Sequence, residues 1–110
     1  MRLVYYGTPS MAVPPLLRLH RDGRPPLLVV TRPDKPKGRG LEPGASPVRG
    51  AAESLGLPVA TPGRAGAPAE LERIRALAPD LLVVAAYGQI FPAALLAFPR
   101  LGALNVHYSL

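Results

Sequence analysis

Apolar residues fall into five short runs along the chain. The runs cover residues 3–6, 27–30, 58–60, 81–86 and 103–106. They are nearly continuous rather than alternating with polar residues, which is typical of strands that are buried on both faces of a sheet. Glycine, proline and aspartate residues flank them. The pattern therefore predicts five strands.

Between these runs, apolar residues recur every three or four positions, which predicts helices. The helical stretches cover residues 10–23, 46–56, 67–79 and 92–98. In the first, Ser10 is the expected N-cap and Gly23 the expected end. One face of that helix is predicted to carry Val13, Leu16, Leu17 and His20. In the second, Ser46 is the expected N-cap and Pro47 the first helical residue.

Strands that alternate with helices indicate an α/β fold. We predict a doubly wound, Rossmann-like parallel sheet with helices on both faces. In such sheets ligands bind beyond the carboxyl ends of the strands. Segments 7–9, 31–40, 86–88 and 105–107 follow strands, and they are rich in polar and glycine residues. We expect them to converge on one edge of the sheet.

The stretch "TRPDKPKGRG", residues 31–40, is called the basic loop below. Its proline and glycine content predicts neither helix nor strand. Its basic residues are Arg32, Lys35, Lys37 and Arg39. The whole chain of 110 residues has 13 basic and 7 acidic residues and a net charge of +6, which favours a polyanionic partner. A solvated surface excursion is the alternative, but its place beside the ligand edge favours phosphate contact.

Several classes of protein are excluded or disfavoured. The chain has no cysteine, which excludes a disulfide scaffold and a thiolate metal site. Histidines and carboxylates show no metal-ligand spacing, so we expect no metal. Gly7 lacks the further glycines of a dinucleotide fingerprint, and there is no P-loop. No apolar run approaches the roughly 20 residues of a membrane span, so we expect a soluble, cytoplasmic protein.

The stretch "LNVHYSL" places polar residues at every second position. If a strand continues through it, Asn105, His107 and Ser109 face the same way. A lone histidine more often serves packing than chemistry. An asparagine two positions earlier, on the last strand of an open sheet, favours chemistry.

Several segments together resemble the N-terminal domain of the methionyl-tRNA formyltransferase family. They are "GTP" at Gly7 with Ala12, the basic loop with "SPV" at Ser46, "VVAAYGQIFP" at Val83 and "NVHYSL" at Asn105. They cover almost the whole chain in family order. "NVHYSL" alone indicates the wider folate-dependent formyl-transferase group, and the basic loop narrows it to the enzyme acting on tRNA. After Gly40, Leu41 and Glu42 depart from the lysines common in the family.

The resemblance implies transfer of the formyl group of 10-formyltetrahydrofolate to methionyl-initiator tRNA, a step of translation initiation. It implies that Asn105 and His107 are catalytic and hold the tetrahedral intermediate. It implies a folate site formed by Tyr87, Gly88, Gln89, Ile90, Ser109 and Leu110. It implies tRNA contacts by Arg32, Lys35, Lys37, Arg39 and Arg49.

The family pattern continues past residue 110 into a catalytic aspartate and a C-terminal tRNA-binding domain. We therefore expect residues 1–110 to be the N-terminal part of a formyl-transferase domain and to be inactive alone. We expect the full-length enzyme to be a monomer that binds folate, tRNA and no membrane. Two alternatives stay open: formyl transfer to a small amine such as glycinamide ribonucleotide, and a non-catalytic RNA- or nucleotide-binding module.

Overall fold

The computed structural model of the chain describes residues 1–33, 35–36 and 43–106. The strands are β1 (Leu3–Gly7), β2 (Leu28–Val30), β3 (Lys35–Pro36), β4 (Pro43–Gly44), β5 (Val59–Ala60), β6 (Leu81–Ala85) and β7 (Ala103–Asn105). The α-helices are α1 (Val13–Arg21), α2 (Pro47–Ser54), α3 (Pro68–Leu77) and α4 (Ala93–Ala97). A 3₁₀ turn at Ser10–Ala12 precedes α1.

Within the described residues, a five-stranded sheet has the order β5-β2-β1-β6-β7, and every pairing in it is parallel. The chain first builds outward from β1 through β2 to β5, and then returns to the other side of β1 with β6. The strand order thus reverses between β1 and β6, where such folds bind their ligands. The predicted doubly wound sheet is confirmed.

The core divides into two clusters, one on each face of the sheet, because successive side chains of a strand point to opposite faces. On one face, Val4 and Tyr6 of β1 pack with Ile74 of α3 and Leu95 of α4. On the other face, the cluster contains Leu3, Tyr5, Leu16, Val29, Val48, Ala52 and Val83. Helices α1 and α2 therefore cover one face, and α3 and α4 cover the other.

The predicted face of the first helix is confirmed only in part. Leu16 is buried and Val13 packs against the same core cluster, but the other two residues do not face the core. Leu17 is 43% exposed, and His20 is also exposed. The core side of this region is formed by Ala12, Leu16 and Leu19, a spacing that suits a helix equally well. Ser10 is not the N-cap either, because it starts the 3₁₀ turn and no side chain caps α1.

Prolines explain why α1 needs no cap. Pro14 and Pro15 occupy its first turn and lack the N–H groups that a capping side chain would satisfy. The second helix does begin as predicted, with the Ser46 hydroxyl accepting a hydrogen bond from the Arg49 N–H at 3.0 Å.

The prediction that residues 31–40 contain no strand is also wrong. Lys35 pairs with Gly44, and Pro36 pairs with Pro43, in a short antiparallel ladder. Proline donates no hydrogen bond, which confines such a ladder to a few residues. The partner strand lies outside the loop, so the composition of the loop alone does not reveal the pairing.

Candidate functional site

Three chain segments meet at Thr8, directly after β1. The Thr8 Oγ1 donates a hydrogen bond to the Tyr87 carbonyl at 3.3 Å and accepts one from the Arg32 N–H at 3.3 Å. Tyr87 follows β6, and Arg32 follows β2. The expectation that the segments after the strands converge on one edge is therefore confirmed for these three strands.

An open cleft of about 370 Å³ lies at this edge. It is lined by Val84, Ala86, Tyr87, Gly88, Gln89, Ile90 and Asn105. The structure thus brings Asn105, predicted to be catalytic, next to the four residues 87–90 predicted to bind folate. We define residues 86–90 as the cleft loop. The strand register explains the arrangement, because Asn105 of β7 pairs with Val84 of β6, just before the cleft loop.

The backbone of the cleft loop is held in unusual conformations. Ala86 has a φ of 55° and Gly88 a φ of 95°, both in the left-handed region. Ala86 adopts it despite its Cβ, which costs roughly 1–2 kcal/mol. A Cβ on Gly88 would lie 3.2 Å from Nη1 of Arg32, so the first arginine of the basic loop lies against the cleft loop.

Three buried polar atoms near this edge have no hydrogen-bond partner within the described part of the chain. They are the Tyr6 Oη, the Tyr87 Oη and the Arg32 Nε. Burial raises the pKa of the Tyr6 phenol, with Tyr87 and Glu70 contributing. Burial also raises the pKa of the Tyr87 phenol, against an opposing effect of Arg32. Both hydroxyls therefore stay protonated and remain available as donors.

The aromatic rings below the cleft form one cluster. The Tyr6 and Tyr87 rings meet edge to face with centroids 5.4 Å apart, and Phe91 lies 4.7 Å from Tyr6. The Tyr87 side chain is only 2% exposed. Tyr87 therefore supports the cleft from beneath with its ring.

The Gln89 side chain is occupied by the neighbouring loop. Its Oε1 accepts from the Ala65 N–H at 3.0 Å, and its Nε2 donates to the Gly63 carbonyl at 2.9 Å. This amide clamp ties the cleft loop to the connection between β5 and α3. Ile90, one position later, is 96% exposed at the rim of the cleft.

The predicted tRNA-binding residues are described only in part. Arg32 reaches the cleft loop, whereas the Arg49 Nε pairs with Glu53 of the same helix at 3.2 Å. Lys35 is placed by its backbone in β3. Lys37, Arg39, His107, Ser109 and Leu110 lie outside the described residues.

The described residues contain no group of three or more histidine, cysteine, aspartate or glutamate side chains placed to hold a metal ion. In the same part of the chain, every helix is too short or too polar to cross a membrane.

Comparison with known proteins identifies the family. The family model described as formyl transferase matches residues 1–110. The chain belongs to the formyl transferase family. The family resemblance that the motifs suggested is therefore confirmed.

Several curated relatives of this formyl transferase chain share one name. The chain is 50% identical over 110 residues to "Methionyl-tRNA formyltransferase" of Methylococcus capsulatus, and 49% identical over 108 residues to that of Geobacillus thermodenitrificans. The alignments cover 100% and 98% of this chain but only 36% and 34% of those relatives. The chain thus spans about a third of their length.

Solved structures share the fold of the formyl transferase chain. Glycinamide ribonucleotide transformylase 1 from Geobacillus kaustophilus superposes with a TM-score of 0.68 at 22% identity, over 99% of this chain and 58% of that one. The corresponding enzyme from Symbiobacterium toebii gives 0.69 at 20% identity, over 100% and 52% of the two chains. At this identity the likeness shows the fold alone.

Sequence reasoning missed the hydroxyls that join the segments of this candidate site. Thr8 and Thr31 each directly follow a buried strand, and Ser46 was assigned only as a helix cap. A hydroxyl placed where a parallel strand ends is a signal that could have found them.

Proposed function

We propose that the full-length protein containing this chain transfers the formyl group of 10-formyltetrahydrofolate to the amino group of methionyl-initiator tRNA. The observation that carries the proposal is the name shared by relatives 44–50% identical across this chain. The cleft beside Asn105 supports it, because the catalytic asparagine and the folate-binding segment implied by the family motifs lie together there.

The chemistry needs little from the protein beyond position and charge stabilisation. The methionyl nitrogen forms a bond to the formyl carbon, and the carbonyl oxygen becomes an oxyanion. The intermediate then collapses, the bond from the formyl carbon to the tetrahydrofolate nitrogen breaks, and that nitrogen takes the proton released by the amine. Asn105 is assigned to donate its amide N–H to the oxyanion. His107 is assigned to donate to the oxyanion or to move the proton.

The donor fits the cleft on physical grounds. Ile90 offers exposed apolar surface, and the cleft opens at the carboxyl edge where the strand order reverses. We assign Tyr87, Gly88, Gln89, Ile90, Ser109 and Leu110 to the folate site. Because the Gln89 amide is bound to the backbone of Ala65 and Gly63, Gln89 contributes by positioning the cleft loop.

The acceptor side of the site is assigned to the basic loop. Arg32, Lys35, Lys37, Arg39 and Arg49 would contact phosphates of the tRNA, and such contacts give binding a steep dependence on salt. The proposal places the enzyme in the cytoplasm as a monomer, with the catalytic aspartate and a C-terminal tRNA-binding domain supplied by residues beyond this chain.

The test is a formylation assay on the full-length protein with labelled 10-formyltetrahydrofolate and three acceptors. The acceptors are methionyl-initiator tRNA, uncharged initiator tRNA and glycinamide ribonucleotide. We expect product only on the methionyl-tRNA. Product on glycinamide ribonucleotide alone would move the function to purine-type formyl transfer. Tight tRNA binding without any formylated product would indicate a non-catalytic RNA-binding module.

A further inference from the structure

A chain of hydroxyl groups runs beneath the site from the basic loop to the cleft loop. The Ser46 and Thr31 hydroxyls are 2.8 Å apart, and the Thr31 Oγ1 donates to the Thr8 Oγ1 at 3.5 Å. The Thr8 Oγ1 then donates to the Tyr87 carbonyl at 3.3 Å. Thr31 and Ser46 bracket the basic loop and its ladder, and Tyr87 belongs to the cleft loop.

Counting donors fixes the direction of this chain. Each hydroxyl carries one hydrogen, and a carbonyl can only accept. Thr8 donates its hydroxyl hydrogen to the Tyr87 carbonyl, so it can only accept from Thr31. Because Thr31 donates to Thr8, the bond between Thr31 and Ser46 must be donated by Ser46. Ser46 keeps a lone pair for the Arg49 N–H at 3.0 Å. One consistent orientation therefore satisfies all three hydroxyls.

The burial of Thr31 makes its role more than incidental. Thr31 is 0% exposed, and among the described residues it is the one buried residue that is neither apolar nor aromatic. Hydrogen bonds of a buried hydroxyl are not replaced by water if they are lost, so such a group holds its partners in place. The partners here belong to separate chain segments, at β1 and at the start of α2.

A second contact joins the same two loops. The Arg32 N–H donates to Thr8, and the Arg32 guanidinium lies against Gly88 of the cleft loop. The start of the basic loop and the cleft loop are therefore linked through both the backbone and the side chain of Arg32.

We infer that Thr8 and Thr31 are positioning residues that hold Arg32, at the start of the basic loop, at a fixed spacing from the cleft loop, so that the RNA acceptor and the formyl donor are aligned for reaction. This inference rests on the proposed function, which gives each loop its substrate. Thr8 and Thr31 act through the Tyr87 carbonyl, the Arg32 N–H and the Ser46 cap.

The test compares Thr31→Val with Thr31→Ser in the full-length protein. Valine keeps the shape of threonine but removes both hydrogen bonds, whereas serine keeps the hydroxyl. Thr61→Val is the matched control, because Thr61 is exposed on the segment after β5. Thr8→Val provides a second variant at a half-buried position, should Thr31→Val fail to fold.

Two measurements are made on each variant. Hydrogen exchange should become faster at the Arg32 amide and in residues 86–90 of Thr31→Val, and remain unchanged in α3. The KM for the folate donor and the KM for methionyl-tRNA should both rise about two- to tenfold, the factor contributed by one neutral hydrogen bond. The kcat at saturation should change less. Thr31→Ser should restore both KM values, and Thr61→Val should match the wild type.

Two results would overturn the inference. One is faster exchange spread evenly over the whole sheet with both KM values unchanged, which indicates general packing. The other is unchanged exchange in residues 86–90 of a folded Thr31→Val or Thr8→Val protein. If the wild type makes no formylmethionyl-tRNA, the proposed function fails, and the exchange pattern alone still decides whether the two loops are joined.

Discussion

The two ends of strand β6 are built in opposite ways. At the amino end, Asp80 and Arg2 satisfy one another: the Arg2 N–H donates to Asp80 Oδ2 at 2.7 Å, and the Asp80 N–H donates to the Arg2 carbonyl at 2.8 Å. The Arg2 guanidinium caps α3 by donating to the Leu77 carbonyl at 2.9 and 2.6 Å. The polar groups of this end are paired with one another.

At the carboxyl end the pattern reverses. The buried side-chain atoms that lack a partner among the described residues belong to Tyr6, Arg32 and Tyr87, all beside the cleft. The cleft loop adds the exposed Ile90, whereas a left-handed alanine lies near each end, Ala78 before β6 and Ala86 after it. Unsatisfied buried polar groups cost stability, and functional sites are one place where proteins keep them. The comparison teaches that one strand secures the fold at one end and lines an open cleft at the other.

The largest expected effect is on activity, at the carboxyl end. Removing one oxyanion donor with Asn105→Ala should lower kcat by about 10²–10³-fold. The thermal unfolding midpoint should stay at the wild-type value, because Asn105 is exposed. Single-turnover formylation by the full-length protein measures the rate, and calorimetry measures the unfolding midpoint. A variant with wild-type turnover would remove Asn105 from the mechanism.

Gly88→Ala should damage both stability and activity. The left-handed φ of 95° penalises a Cβ by roughly 1–2 kcal/mol, and the contact with Arg32 adds displacement of the guanidinium. We expect that loss in the free energy of unfolding, together with a higher KM for the folate donor.

Gly102→Ala is the matched control for that change. Gly102 has a φ of 78° before β7, and a Cβ there would meet nothing within 4 Å. Denaturant unfolding should show a similar loss of stability in both variants, and the donor KM should change only in Gly88→Ala. Equal effects on KM would mean that contact with Arg32 does not matter.

Two left-handed alanines flank β6 and allow a smaller, paired test. Ala78 has a φ of 49° at the end of α3, and Ala86 has a φ of 55° in the cleft loop. Glycine relieves the left-handed penalty but loosens the unfolded chain, so each Ala→Gly change should stabilise the protein by about 0.5–1 kcal/mol. Ala86→Gly should also lower kcat/KM, because the loop loses its imposed conformation. If Ala78→Gly lowers kcat/KM equally, activity does not depend specifically on the carboxyl end of β6.

The smallest expected effect is the pH dependence of stability at the amino end. The Arg2 N–H, with help from Arg100, holds the pKa of Asp80 below its ordinary value. A lowered native pKa means that the stabilisation is complete above the unfolded pKa of about 4 and is lost as pH falls through the native pKa. Asp80→Asn should therefore be less stable than wild type at pH 7 and equal to it in strong acid. Urea unfolding at both pH values measures this, and a difference that persists in acid would contradict it.

Local signals in the sequence predicted the scaffold well. The buried strand runs and the Ser46-Pro47 helix start depend on neighbouring residues, and the structure has them in place. Leu17 and His20 were wrongly placed on the core face of the first helix, because its sequence contains two overlapping stripes of helical spacing. Only the packing of Leu16 and Leu19 against the sheet chooses between them.

The site was predictable where its residues belong to a strand or to the loop that directly follows one. Asn105 lies at the cleft because β7 pairs with β6 in the expected order. The Gln89–Ala65 and Thr31–Thr8 hydrogen bonds join residues that are 24 and 23 positions apart in the chain. The residues around each of them do not indicate which distant residue will be the partner. Such long-range polar pairs require the folded chain.

The aromatic cluster beneath the cleft has an optical consequence. The chain contains four tyrosines and no tryptophan. Tyr6 and Tyr87 are packed edge to face below the cleft, whereas Tyr5 points to the opposite face, where its hydroxyl donates to the Ala12 carbonyl at 2.6 Å. Near-ultraviolet circular dichroism of this chain is therefore dominated by tyrosine, and of these chromophores Tyr87 lines the cleft and Tyr6 packs against Tyr87. The chain carries its own spectroscopic reporter of occupancy, without any added label.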